Sequence, residues 1–190
     1  DLRLADQAAL AAAAAAGPVV PVYVLDDDTP AHRRMGGASR WWLHHSLASL
    51  SADLAAAGSR LILRRGRADA VLAQLAEELG AGTIHALRHV EPWWRNAERA
   101  LAKRLPVHCP LVRHDGHYLA PPGSIVTGGG TPFKIYTPFW RALSATMPPA
   151  LPQGAPTELA APAAWPASDV LTDWGLRPTR PDWAGGMRAM

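Results

Sequence analysis

Up to Tyr118, apolar positions switch repeatedly between a helical period and short continuous runs, and the switches are marked by glycine and proline. A helix is predicted from Asp6 through the run Ala11 to Ala16, stopped by Gly17-Pro18. Val19 to Leu25 is short, apolar and β-branched, and reads as a buried strand. Residues 26–37 are polar, with Pro30 and Gly36-Gly37, and form a loop at that strand's C-terminal end. Ser39 is suited to cap a helix that carries Trp42, Leu43, Leu47, Leu50 and Leu54 on one stripe and closes at Gly58. The cycle then repeats, with a strand over Arg60 to Leu63 and a turn at Gly66. A helix over Ala68 to Leu79 turns Val71, Leu72, Leu75 and Leu79 inward. Thr83 to Leu87 is a further strand. Pro92 opens another helix, where its missing N–H costs nothing, and that helix ends near Leu105-Pro106. Val107 to Val112 is predicted as the next strand.

Strands alternating with helices of this length imply right-handed crossovers. The fold class is therefore α/β, a Rossmann-like doubly wound parallel sheet of about five strands with helices on both faces. A helix beginning at Asp6 is expected to follow a first strand, which these residues do not include. Ligands on such sheets bind at the carboxyl ends of the strands, here the loops 26–38 and 88–91. After Tyr118 the pattern changes. Pro121-Pro122-Gly123 and Gly128-Gly129-Gly130 are loop signals, and a short helix over Ile135 to Ala145 is expected to be interrupted early by Pro138. From Met147 onward prolines recur among small residues, the composition of an extended linker or a wrapping segment. Trp165, Trp174 and Trp183 lie within it and are expected to pack on something. The expected division is residues 1–132 as the α/β domain and 133–190 as a connector.

Composition removes several classes of function. No apolar run is long enough to cross a bilayer, and the chain opens on Asp1-Leu2-Arg3, unlike a signal peptide. The lone Cys109 forms no internal disulfide, which fits a cytoplasmic setting. The net charge is +3, and every basic residue except Lys103 and Lys134 is arginine. These arginines are spread over several elements, so charge alone marks no nucleic-acid face. Gly128 to Gly130 lacks the ending of a P-loop. His44 and His45 point about 100° apart on one helix and cannot share a metal. His108, Cys109 and His114 have no zinc spacing, and Asp26-Asp27-Asp28 reads as a solvated acidic turn. No catalytic triad or carboxylate pair stands out, so the expectation is no catalytic residue and no metal site.

Four stretches nevertheless resemble, in order, the N-terminal half of the DNA photolyase and cryptochrome family. They are Asp1-Leu2-Arg3-Leu4-Ala5-Asp6-Gln7-Ala8-Ala9-Leu10; Ser39-Arg40-Trp41-Trp42-Leu43 with Gly58-Ser59-Arg60-Leu61; Thr127 through Trp140, with Thr137-Pro138-Phe139-Trp140; and Leu176-Arg177-Pro178 with Pro181-Asp182-Trp183. The resemblance implies the light-harvesting and scaffold domain of a deoxyribodipyrimidine photolyase, whose flavin splits cyclobutane pyrimidine dimers flipped out of damaged DNA. It implies that FAD and the lesion pocket belong to a helical C-terminal domain of the same parent chain, outside these residues. The stretch 133–190 would connect toward that domain, the protein would be monomeric and not membrane-bound, and this part alone would not repair DNA. For a second chromophore, the resemblance points to a cleft formed by Arg40, His89, Glu91, Trp93 and Trp94. Arg40 and Glu91-Pro92 match deazaflavin-binding members, with His89 in place of their aspartate. Folate-binding members carry Asn-Glu where this chain has Trp93-Trp94. The expectation is deazaflavin or flavin ahead of methenyl-folate, or a cleft filled by its own indoles. A cryptochrome-type photoreceptor domain, a non-catalytic α/β nucleotide-binding module and a universal-stress type protein are the alternatives.

Overall fold

The computed structural model describes residues 2–178, 181–182 and 184–188. In chain order the first elements are α1 (Ala8–Ala16), β1 (Val22–Leu25), α2 (Gly37–Ala56), β2 (Ile62–Arg65), α3 (Ala68–Leu79), β3 (Ile84–Leu87), α4 (Pro92–Arg104) and β4 (Leu111–His114). After them come α5 (Tyr136–Ser144), a 3-10 turn at Leu171–Trp174 and α6 (Gly185–Arg188). The alternation of strand and helix is the one the hydrophobic pattern predicts.

Element ends shift for local reasons. Gln7, not Asp6, caps α1, its side chain accepting from the Ala9 N–H, while Asp6 adopts a positive φ of 52°. β1 starts late because Pro21 has no N–H and Val19 donates instead to the Ala160 carbonyl. α2 starts at Gly37 with Gly36 as its cap, which places Ser39 inside the first turn. Gly80 ends α3 in the left-handed region, at φ 57°. β4 begins only after a turn in which Cys109 N–H donates to Pro106. Pro138 does not interrupt α5. It sits in the first turn, where helical N–H groups have no acceptor within the helix.

The strands pair as two parallel ladders rather than one sheet of about five. β1 pairs with β2 from Val22↔Ile62 to Leu25↔Arg65, and β3 pairs with β4 from Ile84↔Leu111 to Leu87↔His114. Among the described residues no ladder joins β1 to β3, because each strand spends its hydrogen bonds on one neighbour only. The two ladders still share their helical cover. α3 packs on β1 and on α4, while α1 lies against β3 and β4.

The core gathers under α2, where Leu25, Leu43, Leu47, Leu50, Leu54, Leu61 and Leu63 meet. Leu159, Trp174 and Leu176 from the proline-rich stretch join the same cluster. That stretch therefore wraps the domain instead of hanging free. Extended backbone has no internal hydrogen bonds, so its groups can serve the core. Leu159 N–H donates to Ala57, Asp169 N–H donates to Leu63, and Leu63 N–H donates to the Ser168 hydroxyl. Trp174 lies beside Tyr23 and its indole N–H donates to Asp169. Trp165 is half-buried, and Trp183 lies outside the described residues.

Candidate functional site

The loops at the carboxyl ends of β1 and β3 meet, and the loop after β1 is pinned from within. Asp26 is buried rather than solvated. Its carboxylate accepts from the N–H groups of Asp28, Thr29 and Ala68 and from the Thr29 hydroxyl, at 2.5–2.9 Å. Burial pushes its pKa up, but the four hydrogen bonds together outweigh burial and leave it below the usual carboxylate range. One residue on, Asp27 accepts from Arg40 at 2.5 Å, and Arg40 Nε donates to the Met35 carbonyl. Burial, then the Asp27 charge, raise the Tyr23 hydroxyl to about 12, with Arg40 opposing. Arg40 is thus tied to the loop, with both interactions directed inward.

The same loop carries His32 onto α4. Its ring lies 4.6 Å from that of Trp94 and 6.4 Å from that of Trp93. His89 continues the series, 5.9 Å from Trp94 and 6.4 Å from His117. Glu98 holds His89 by accepting from its backbone N–H and meeting its Nδ1 at 3.3 Å. Burial chiefly, with the charges of His89 and Arg3, lowers the pKa of His117, while Glu91 acts in the opposite sense. Glu91 itself precedes α4 as its cap residue. Four of the residues named from sequence, His89, Glu91, Trp93 and Trp94, therefore gather at one strand end. Arg40 reaches them only through the loop it anchors. His32 and His117 complete the group and were not among the sequence candidates. Their positions after β1 and β4, at the carboxyl ends of two strands, were the available signal.

Two ring nitrogens here, His32 Nδ1 and Trp93 Nε1, are buried without a hydrogen-bond partner. The adjoining crevice, bounded by Arg88, Asp115, His117 and Tyr118 among others, holds about 10 Å³, room for one water. A larger opening of about 450 Å³ lies between α2 and the wrapping segment, lined by His44, Thr172, Arg177 and Asp182 among others. Burial first, then Arg177 and His45, lower the pKa of His44 there. Among the described residues no three His, Cys, Asp or Glu side chains are grouped to hold a metal.

The DNA photolyase family model matches residues 1–158. The chain belongs to the DNA photolyase family. It is 44% identical over 186 residues to a deoxyribodipyrimidine photo-lyase of Agrobacterium fabrum, covering 97% of this chain and 38% of that protein. Cryptochrome-1 of Arabidopsis thaliana is 32% identical over 155 residues, 80% of this chain and 23% of that one. A crystal structure of a bacterial class III photolyase from Agrobacterium tumefaciens superposes with a TM-score of 0.91 at 41% identity, covering 100% of this chain and 39% of that chain. The chain thus spans well under half the length of these relatives.

The family resemblance implies a second chromophore at the strand ends, so the cleft there can be tested for room. Sites for ligands of that size occupy about 300–1,000 Å³. Here His32, Trp94, His89 and His117 lie against one another in series at that strand end. The crevice adjoining these rings, at about 10 Å³, is far smaller than that. No helix among the described residues is long and apolar enough to cross a membrane.

Proposed function

We propose that this chain is the N-terminal light-harvesting and scaffold domain of a deoxyribodipyrimidine photolyase, a light-driven, FAD-dependent enzyme that repairs cyclobutane pyrimidine dimers. The observation that carries the reading is the 44% identity over nearly the whole chain to a deoxyribodipyrimidine photo-lyase, against 32% to a cryptochrome. In this reading the α/β unit, residues 1–132, is the antenna or scaffold part. Residues 133–190 lead from it toward a helical domain of the same parent chain, which binds FAD and damaged DNA and does the chemistry. The two ladders are halves of one doubly wound parallel sheet of about five strands. The described residues contribute no catalytic group.

The second-chromophore cleft is assigned to Arg40, His89, Glu91, Trp93 and Trp94, with His32 as its plug. The ring packing favours the self-filled form of that cleft over a loaded one. A deazaflavin or flavin would need His32 displaced from Trp94. Two measurements on the purified full-length protein test the reading: dimer repair under blue light, and the absorption spectrum after FAD is released. Repair, with no absorption band left once FAD is gone, is the expected result. A full-length protein that binds FAD but never splits dimers would move the assignment to a photoreceptor. A residual near-ultraviolet or blue band would show that the cleft opens.

A further inference from the structure

Helix α4 turns one uniform face to solvent. Its exposed positions recur every three or four residues, and every charged one among them is basic: Arg95, Arg99, Lys103 and Arg104. The single acid of the helix, Glu98, is only 11% exposed and is engaged by His89 and Arg113. Arg95, Arg99 and Lys103 have no ion-pair partner among the described residues. The neighbouring helix α3 differs, since it exposes Glu77 and Glu78.

Helix stability does not ask for this row. Cations in a last turn answer the helix dipole, which accounts for Lys103 and Arg104. Arg95 lies in the first turn, where a positive charge is unfavourable, and no acid stands there to offset it. Arg95, Arg99 and Lys103 also follow one another at four-residue steps, and like charges at that spacing repel along a helix.

The C-terminal end of the row is oriented from beneath. Asp69, a buried carboxylate, accepts from Arg104 Nε at 3.1 Å and from Arg67 Nε and Nη2 at 3.1 Å. Two cations thus share one carboxylate and leave one positive charge over. Arg104 is held through Nε alone, so its two terminal nitrogens face outward work as a fork suited to a phosphate.

From Arg95 to Lys103 the row is about 12 Å long. Over that axial length a nucleic-acid duplex presents about seven phosphates. The exposed positions of α4 include no aromatic ring on which an unpaired base could stack, as single-stranded nucleic acid needs. They include no bulky apolar group to enter a membrane, and no aromatic anchor of the kind that centres a protein interface. We infer that the outer face of α4, ending at the pair Arg104 and Arg67, is a docking surface for the phosphate backbone of duplex nucleic acid, bound without regard to sequence. It uses none of the cleft rings. It rests on the charge pattern of α4 and stands or falls apart from the photolyase reading.

The test reads binding of a short, lesion-free DNA duplex to the full-length protein, by fluorescence anisotropy in the dark at a series of salt concentrations. Arg95→Gln/Arg99→Gln is compared with Arg60→Gln/Arg141→Gln, which removes the same charge from exposed sites on other elements. Glutamine keeps the helix propensity of α4, and a thermal melt checks that each variant is folded. The α4 pair is expected to weaken binding several-fold at low salt. It should also flatten the slope of log K against log salt by about 1.8, two phosphate contacts at about 0.9 each. Arg99→Gln/Lys103→Gln should flatten it equally, and the control pair should leave it unchanged. Wild-type slopes in both α4 pairs would overturn the inference, and so would equal flattening by the control pair. So would α4 variants that keep duplex binding and lose binding to vesicles of phosphatidylcholine and phosphatidylserine, which would reassign the face to a membrane.

Discussion

Asp26→Asn is the sharpest probe of how the strand-end loop is held. In the wild type one carboxylate oxygen takes the Asp28 and Thr29 N–H groups and the other takes the Thr29 hydroxyl and the Ala68 N–H. Ala68 opens α3, and Arg67, the residue in the cap position, offers no side-chain cap. Asp26 thus caps α3 from a distant part of the chain. An asparagine keeps the shape but has one oxygen. If that oxygen serves Asp28 and Thr29, its amino group faces Ala68 and the hydroxyl. The hydroxyl can turn and accept, but the Ala68 N–H cannot, so at least one backbone donor is orphaned. That costs about 1–3 kcal/mol. Losing the negative charge at the N-terminus of α3 adds about 0.3–1 kcal/mol, and the remaining bonds lose their charge assistance. The sum is about 2–4 kcal/mol, or roughly 4–16 °C in Tm for a chain of this size.

Urea unfolding of wild type and variant at neutral pH measures the difference. Its pH dependence supplies a second check. The folded pKa of Asp26 lies below its unfolded value, so its contribution is fully present above that unfolded value. It is lost as pH falls through the folded pKa. The gap between the two proteins should be flat above about pH 5 and close in acid below about pH 4. A variant within about 0.5 kcal/mol of wild type would refute the capping argument. A gap that stays constant into acid would refute the charge part of it.

Trp174→Ala should lower stability by about 3–5 kcal/mol in the same assay, since it empties a buried site beside Tyr23 and frees Asp169. A small effect would mean that the wrapping segment is not integral to the core. Asp69, which is 1% exposed, accepts from Arg67, the cap residue before α3, and from Arg104 on α4. Both arginines are about half exposed, so solvent screens the pairs and Asp69→Asn should cost about 1–3 kcal/mol, less in high salt. His85 Nδ1 lies 3.0 Å from His114 Nε2, and burial first, then His114, hold the His85 pKa below its ordinary 6.5. Its neutral form supports the fold above that unfolded value, and the support is lost as pH falls through the folded pKa. The decline of stability in mild acid should therefore flatten in His85→Asn, as followed by thermal melts across pH. His32→Ala should open the cleft beside Trp94, so that added flavin quenches tryptophan fluorescence in the variant and not in the wild type.

The parts of this molecule written in local pattern were legible, and the parts made by distant meetings were not. α3 could be read to its last residue because Leu75 and its neighbours repeat on one face and Gly80 supplies the left-handed stop. The family resemblance was legible for a related reason: its motifs are contiguous runs. Asp26 read as part of a solvated turn because its decisive partner, Ala68, lies on another element. Loop 26–38 could be placed at the strand ends, but only its path singles out His32 by bringing it to Trp94. The proline-rich stretch has the composition of a linker, yet three large side chains, Leu159, Trp174 and Leu176, decide its placement. Composition counts the prolines and does not weigh the apolar groups between them.

The split between the two ladders was illegible for a different reason. An apolar run such as Val22 to Leu25 is the same sequence whether one edge or both are paired, because ladder hydrogen bonds use backbone groups common to all residues. What pairing on both edges demands is burial of both faces, and the run already satisfies that. The sequence therefore specifies a strand for the middle of a sheet, and the structure leaves it at the rim of a pair. That conflict between local choice and surroundings is uncommon in native proteins, whose levels of organisation agree.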